Sequence, residues 1–241
     1  CNIVNDDKTL QSKEYDELYF DIGANVGLWA LANSKENRKI ISIEASPTTF
    51  NRLKEKTKNN KNIECLNFAV TDSKDDTITF YEHPWDTIST LNKDWLTSPR
   101  SRFCNSGRIK ETKVNTTSIN KLIEKYGIPD LIKIDVEGGE FQVCKSLSNN
   151  DVNILNFEWA SEMYDVTEKS LNYLSTIGYN KFHIQTGDEY TYTPKEFEYN
   201  LDIVKDILSK KRPKIDMGMV WCTKIKETQD THIKEYSNSP Y

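Results

Sequence analysis

No stretch of this 241-residue chain approaches the roughly 20 consecutive apolar residues that a membrane-crossing helix requires, so no membrane span is expected. Cysteine is sparse and unpaired. Cys1, Cys65, Cys104, Cys144 and Cys222 are odd in number and widely scattered, and without a CxxC pair they offer neither a zinc grip nor a disulfide-exchange site. Reduced thiols in a cytoplasmic compartment are the expectation, with Cys65 and Cys222 buried as small hydrophobes within apolar runs. Positive charge is in deficit too: Lys and Arg number 32 against 37 Asp and Glu, for a formal net charge of −5. Proteins that grip phosphate backbones are usually basic, which argues against nucleic acid as the main partner. No repeat of fixed period is present, and solenoids and propellers fall away with it.

What the chain does have is a 37% hydrophobic share, enough for one core at this length. One domain is expected over 18–224, with a polar lead-in over 1–17 and a polar, frayed tail over 225–241. The chain starts on Cys and opens with few apolar anchors, which reads as a piece of a longer polypeptide. Strands are predicted at 17–21, 39–44, 63–70, 130–136, 152–159, 179–185 and 219–223, with an alternating hairpin arm at 77–81. Helices are predicted at 26–32, from Ser46 and Pro47 onward, and at 117–126, 138–147, 166–177 and 194–210. Phe50 and Leu53 are expected on one apolar face of the second helix. Between 83 and 108 the period disappears among Pro, Trp, Ser and Asn, a length more typical of a functional lid or a disordered stretch than of an ordinary connection. Strands alternating with helices imply a mostly parallel sheet covered on both faces. Ligands of such sheets bind outside the carboxyl ends of the strands.

Two motifs sit at those ends. The first is Asp21-Ile22-Gly23-Ala24-Asn25-Val26-Gly27, followed 17 residues after Gly27 by Glu44 at the end of the second strand. Glycine at 23 permits backbone angles closed to other residues and lets a ligand approach, and a carboxylate at this spacing suits both ribose hydroxyls of an adenosine. A dinucleotide site would show GxGxxG, whose second glycine admits a pyrophosphate. The spacing here is GxxxG, which favours a nucleoside with an amino acid end, with Asp21 placed to hold an ammonium. The second motif is Leu131-Ile132-Lys133-Ile134-Asp135-Val136-Glu137-Gly138-Gly139-Glu140. A period of two puts Lys133, Asp135 and Glu137 on one side. Lys133, deeper in the sheet, is expected to balance the carboxylates, because an unpaired buried charge is costly.

These motifs, with SIEASP at 42–47, NFAVTD at 67–72 and NFEWA at 156–160, resemble the FkbM family of methyltransferases, S-adenosylmethionine-dependent enzymes of the Rossmann-like class. They stand in the family's order over roughly 19–160. Ala45 departs from the Pro common there, and Gly139 from a frequent Ala; neither change removes a charged group. The resemblance implies a class I methyltransferase fold, a seven-stranded sheet ordered 3-2-1-4-5-7-6 with the last strand antiparallel. Its cofactor would be S-adenosylmethionine. The cofactor site is then expected to comprise Asp21, Gly23, Asn25, Gly27, Glu44, Ala45, Phe68, Ala69 and Asp135, with Phe68 and Ala69 against the adenine.

Methyl transfer to an alcohol needs in-line alignment and a base within reach of the hydroxyl proton. The candidates are Asp135, Glu137, Glu158 and His83, and paired carboxylates can raise one pKa towards neutrality. His83 could equally pack or face solvent. The same carboxylates could hold a divalent metal; nothing in their spacing demands one, and metal-independent transfer is the expectation. Trp85, Trp95 and Phe103, with Trp159 and Tyr164, offer rings for the C–H face of a sugar, although aromatics are also ordinary core residues. The acceptor is therefore expected to be a small molecule or an oligosaccharide, first of all a glycan hydroxyl, with glycosyltransferases as covalent neighbours if the chain is one part of a longer one. A non-sugar secondary metabolite, a non-catalytic binding module and a nicotinamide-dependent dehydrogenase are the rivals. The GxxxG loop argues against the last.

Overall fold

The computed structural model describes residues 15–148, 151–212 and 214–225. Its centre is a seven-stranded sheet ordered β3-β2-β1-β7-β8-β10-β9, formed by β1 (Glu17–Ile22), β2 (Arg38–Ile43), β3 (Ile63–Leu66), β7 (Leu131–Ile134), β8 (Ile154–Ala160), β9 (Lys181–Thr186) and β10 (Met217–Thr223). Neighbours from β3 to β8 run parallel, while β10 is antiparallel to both β8 and β9. This is the Rossmann-like methyltransferase order expected above, with the reversed strand between the last two.

The central strands are apolar on both sides because both faces are covered. Phe20, Ile22, Ile41, Ile43, Ile132 and Ile134 face a core completed by α4 (Ile119–Tyr126), α5 (Glu140–Lys145), α6 (Tyr164–Thr176) and α7 (Leu201–Lys210). The alternate positions Tyr19, Ile40, Leu131, Met219 and Trp221 meet Trp29 and Ala30 of α1 (Leu28–Asn33). In α2 (Pro47–Thr57) the Ser46 hydroxyl caps the first turn by accepting from the Thr49 N–H at 3.3 Å. Its buried stripe is Thr49, Leu53 and Thr57, and Phe50 is only half-buried.

Four local expectations change. The strand predicted over 63–70 breaks at Asn67, whose side-chain amide donates to the Glu44 and Ala45 carbonyls at 2.8 and 3.0 Å. Beyond the break, β4 (Ala69–Val70) joins a second sheet ordered β4-β6-β5, with β5 (Thr77–Glu82) and β6 (Lys110–Thr117). The polar Lys110–Thr117 was not anticipated as a strand, because it buries Val114 and little else. The aperiodic 83–108 segment is structured: a 3₁₀ turn at Asp86–Ile88, then α3 (Lys93–Thr97) capped by Asn92. The last helix begins at Leu201, not 194, because Asn200 caps it by accepting from the Ile203 N–H at 3.0 Å. Cys222 is buried, whereas Cys65 is half-exposed against the Thr57 hydroxyl at 3.2 Å. Cys1, most of the lead-in and nearly all of the tail lie outside the described residues.

Candidate active site

At the carboxyl ends of β1, β2, β7 and β8 lies an open crevice of about 200 Å³, at the point where the sheet's strand order reverses. One wall is the turn after β1. The Gly23 and Ala24 N–H groups donate to the Ile43 carbonyl at 2.9 and 3.0 Å, and the backbone turns left-handed at Gly23, with φ +78°. A Cβ at this position would lie 1.7 Å from the Asp135 carbonyl oxygen. The turns after β1 and β7 can therefore touch only because residue 23 has no side chain. Gly27 is a packing residue rather than part of the crevice: a Cβ there would meet Leu53 of α2 at 2.7 Å.

Glu44, Ala45, Phe68 and Ala69 line the same wall. The Glu44 carboxylate is tied on both oxygens, accepting from the Asn25 N–H at 2.9 Å and the Ser46 N–H at 2.8 Å. Those bonds lock its orientation, and each oxygen keeps a second lone-pair direction. Burial pushes its pKa up to about 7, against the pull of the two N–H donors.

The opposite wall is acidic. Asp135, Glu137 and Glu158 line it, with oxygens from all three within 4.8 Å of one another. Lys133 stands beneath them, 3.2 Å from Asp135, 3.3 Å from Asp21 and 3.0 Å from the Gly23 carbonyl. Burial alone would depress the Lys133 ammonium, but Asp135 and Asp21 outweigh it and hold the pKa above the ordinary value. Burial first, then the neighbouring carboxylates, hold Glu137 and Glu158 well above the usual carboxylate range. Glu140 is raised to about 7 by burial, while its Oε1 accepts from the Val136 and Gly138 N–H groups at 3.2 and 3.1 Å. An oxygen set of this kind can take a proton or hold a hard cation.

Several expected residues sit elsewhere. Asp21 is wholly buried behind the wall and pairs with Lys133, so it does not itself reach the crevice, which Asp135 lines instead. His83 is 7% exposed and does not line the crevice. Its Nδ1 accepts from the Trp85 N–H at 3.0 Å, and Nε2 lies 3.1 Å from the Ser106 hydroxyl; both ring nitrogens are engaged. Trp95, Trp159 and Tyr164 belong to the core, and of the aromatics singled out Trp85 is the one widely exposed, at 59%.

The 83–108 segment works as a clamp on the acidic turn. The Thr90 hydroxyl donates to the Glu137 carbonyl at 2.6 Å, the Asn92 amide to the Gly138 carbonyl at 2.9 Å, and the Trp95 indole N–H to Glu137 Oε2 at 2.9 Å. Glu137 is thereby held at φ +59°, a conformation that a bulky residue rarely adopts. Asp188 and Tyr190, after β9, also line the crevice, where Asn33 holds the Tyr190 carbonyl at 2.9 Å. No motif pointed to them, since only the return of the chain across the strand ends brings them there.

The methyltransferase FkbM domain matches residues 21–192. The chain belongs to this family. The FkbM match runs past the motifs and takes in Asp188 and Tyr190. Among curated proteins, the hexuronic acid methyltransferase AglP of Haloferax volcanii is similar, 27% identical over 144 residues that cover 58% of this chain and 54% of the relative. The match thus spans about half of that protein's length. Among solved structures, the precorrin-6y C5,15-methyltransferase of Geobacter metallireducens is 12% identical with a TM-score of 0.45, covering 88% of this chain and 82% of that one. Fibrillarin of Aeropyrum pernix, with S-adenosyl-L-methionine bound, is 11% identical with a TM-score of 0.41, covering 88% and 67%. The cofactor of FkbM domains is S-adenosylmethionine, and the residues present fit it. A Cβ would fill the cradle at Gly23, Glu44 is an oriented acceptor for ribose hydroxyls, and the acidic wall suits a cationic sulfonium and ammonium.

Proposed function

We propose that this domain methylates a hydroxyl of a sugar, within a glycan or oligosaccharide, using S-adenosylmethionine. One observation carries the reading: a nucleoside cradle and a set of proton-accepting carboxylates share a single crevice. Bound S-adenosylmethionine supplies an electrophilic methyl on a sulfonium that leaves as a neutral thioether. The chain's own residues do the rest. Gly23, Asn25 and Glu44 seat the adenosine, with Ala45, Phe68 and Ala69 giving the adenine an apolar surface, and Asp135 faces the cationic end. Glu137 and Glu158, raised by burial and by their neighbours, ionise more readily once positive charge lies against them. Either then accepts the hydroxyl proton as the new C–O bond forms. The hexuronic acid named for the relative supports a sugar acceptor, and the acidic wall favours its neutral hydroxyls over its carboxylate.

The test is incubation of the protein with isotopically labelled S-adenosylmethionine and a panel of neutral and uronic acid oligosaccharides. Label is expected on the sugar, in a linkage that survives mild alkali, as an ether does and an ester does not. Label released by alkali would move the acceptor to a carboxylate, and no label on any sugar would remove the glycan reading. Single Glu137 and Glu158 to Ala variants should lower turnover by about 10²–10⁴-fold where the residue is the base, while donor affinity by calorimetry stays within a few-fold; Asp135→Ala should weaken donor binding.

A further inference from the structure

The acidic wall brings together more carboxyl groups than the protein supplies cations for. Lys133 divides its ammonium between Asp135 and Asp21, and Arg102, the next cation, is committed to Glu162 through two bonds of 2.5 and 2.7 Å. Glu158 is the decisive residue. It is 8% exposed, it lines the crevice, and among the described residues its carboxylate accepts no hydrogen bond and joins no ion pair. A carboxylate so largely withdrawn from water and without a partner is disfavoured unless a cation or a proton meets it. An oxygen of Glu158 lies within 4.8 Å of oxygens of Asp135 and Glu137, which supply no positive charge, so a proton or a cation has to meet it.

The other two members are prepared differently. One oxygen of Glu137 is taken by the Trp95 indole and one of Asp135 by Lys133, which orients each carboxylate and leaves its second oxygen available. Hydrogen-bonded carboxylates of this kind are the usual support of metal ligands. The set contains oxygen only, with no imidazole or thiolate, and so selects a hard cation of the magnesium, manganese or calcium class over zinc.

We infer that Asp135, Glu137 and Glu158 form a binding site for one divalent hard cation at the acceptor side of the crevice. Three carboxylates giving one oxygen each leave coordination positions open towards the crevice, where two neighbouring sugar oxygens would be held, and the second oxygen of Glu158 stays free to accept the hydroxyl proton. The cation site stands on the geometry alone; its service to a sugar rests on the function proposed above.

The experiment uses the whole chain, stripped with a chelator, and Mn²⁺ as the probe, followed by electron paramagnetic resonance and calorimetry with neither donor nor acceptor present. One Mn²⁺ per chain is expected, displaced by excess Mg²⁺ or Ca²⁺, with affinity reduced at least tenfold in Glu158→Gln and unchanged in Glu111→Gln, an exposed carboxylate on β6. If Glu158→Gln does not fold, as judged by its melting curve, Glu137→Gln takes its place with the same expected loss. Absence of Mn²⁺ binding, or binding unaltered in the folded Glu158 or Glu137 variant, overturns the inference. Donor binding measured by calorimetry in excess chelator reports on the methyltransferase reading separately: if it persists while Mn²⁺ fails to bind, only the cation site is lost.

Discussion

At the scale of single residues, position 23 couples two walls of the crevice, since the Asp135 carbonyl occupies the space where any side chain would begin. Gly23→Ala is expected to cost more than about 1 kcal/mol from backbone strain alone and to abolish donor binding, read by calorimetry on whatever folded protein remains. Lys133→Met leaves wholly buried Asp21 without its counter-charge and should destabilise by about 3–5 kcal/mol in urea titrations. Glu44 sets a pH dependence. Its folded pKa of about 7 stands above the ordinary 4.5, so between these values the folded state binds more proton than the unfolded one, and stability falls as pH rises. Glu44 alone accounts for up to roughly 3 kcal/mol of that fall. Melting of the donor-free protein from pH 4.5 to 7.5 should show the decline, and Glu44→Gln should flatten it. A wild-type curve that is level or rising over this window would contradict the assignment.

At the scale of elements, the decisive feature is a segment with no periodicity. Thr90, Asn92 and Trp95 grip both the backbone and the carboxylate of the turn after β7, so the clamp and the acidic turn form one mechanical unit. The Thr90 hydroxyl both donates to the Glu137 carbonyl and accepts from the Asn92 N–H at 2.8 Å. Thr90→Val keeps the shape but removes both bonds, and should cost about 1–3 kcal/mol in denaturant unfolding. Freed of this bond, Glu137 is expected to leave its left-handed conformation and turnover to fall, while donor affinity stays near wild type. A variant that keeps full turnover would show that Glu137 needs no such restraint.

At the scale of the whole molecule, the crevice draws its walls from elements spread over most of the chain, from Ile22 to Met219, and filling it should tighten the sheet's strand ends together. S-adenosylmethionine at about 100 times its dissociation constant is expected to stabilise the fold by about 2.7 kcal/mol, read as a rise in melting temperature that Gly23→Ala does not show. The mostly parallel sheet could be anticipated because strands with continuous apolar runs alternate with helices, and its strand order because the motifs resemble those of the FkbM family. The second sheet could not. Its longest member, Lys110–Thr117, is polar at most positions and owes its form to pairing with Thr77–Glu82, a tertiary partner that local residue preferences do not reveal.

By itself the amino-acid sequence determined the family and the meeting of Gly23, Glu44, Asp135, Glu137 and Glu158 at one crevice, because glycine and carboxylates at strand ends follow from local spacing. Only the tertiary structure decided that Asp21 and His83 stay behind the walls, that Trp95 supports Glu137 rather than facing a sugar, and that Glu158 lies buried with no hydrogen-bond or ion-pair partner among the described residues. Burial and pairing are made by residues tens of positions apart, so the local pattern around any one of them holds no record of its charge environment.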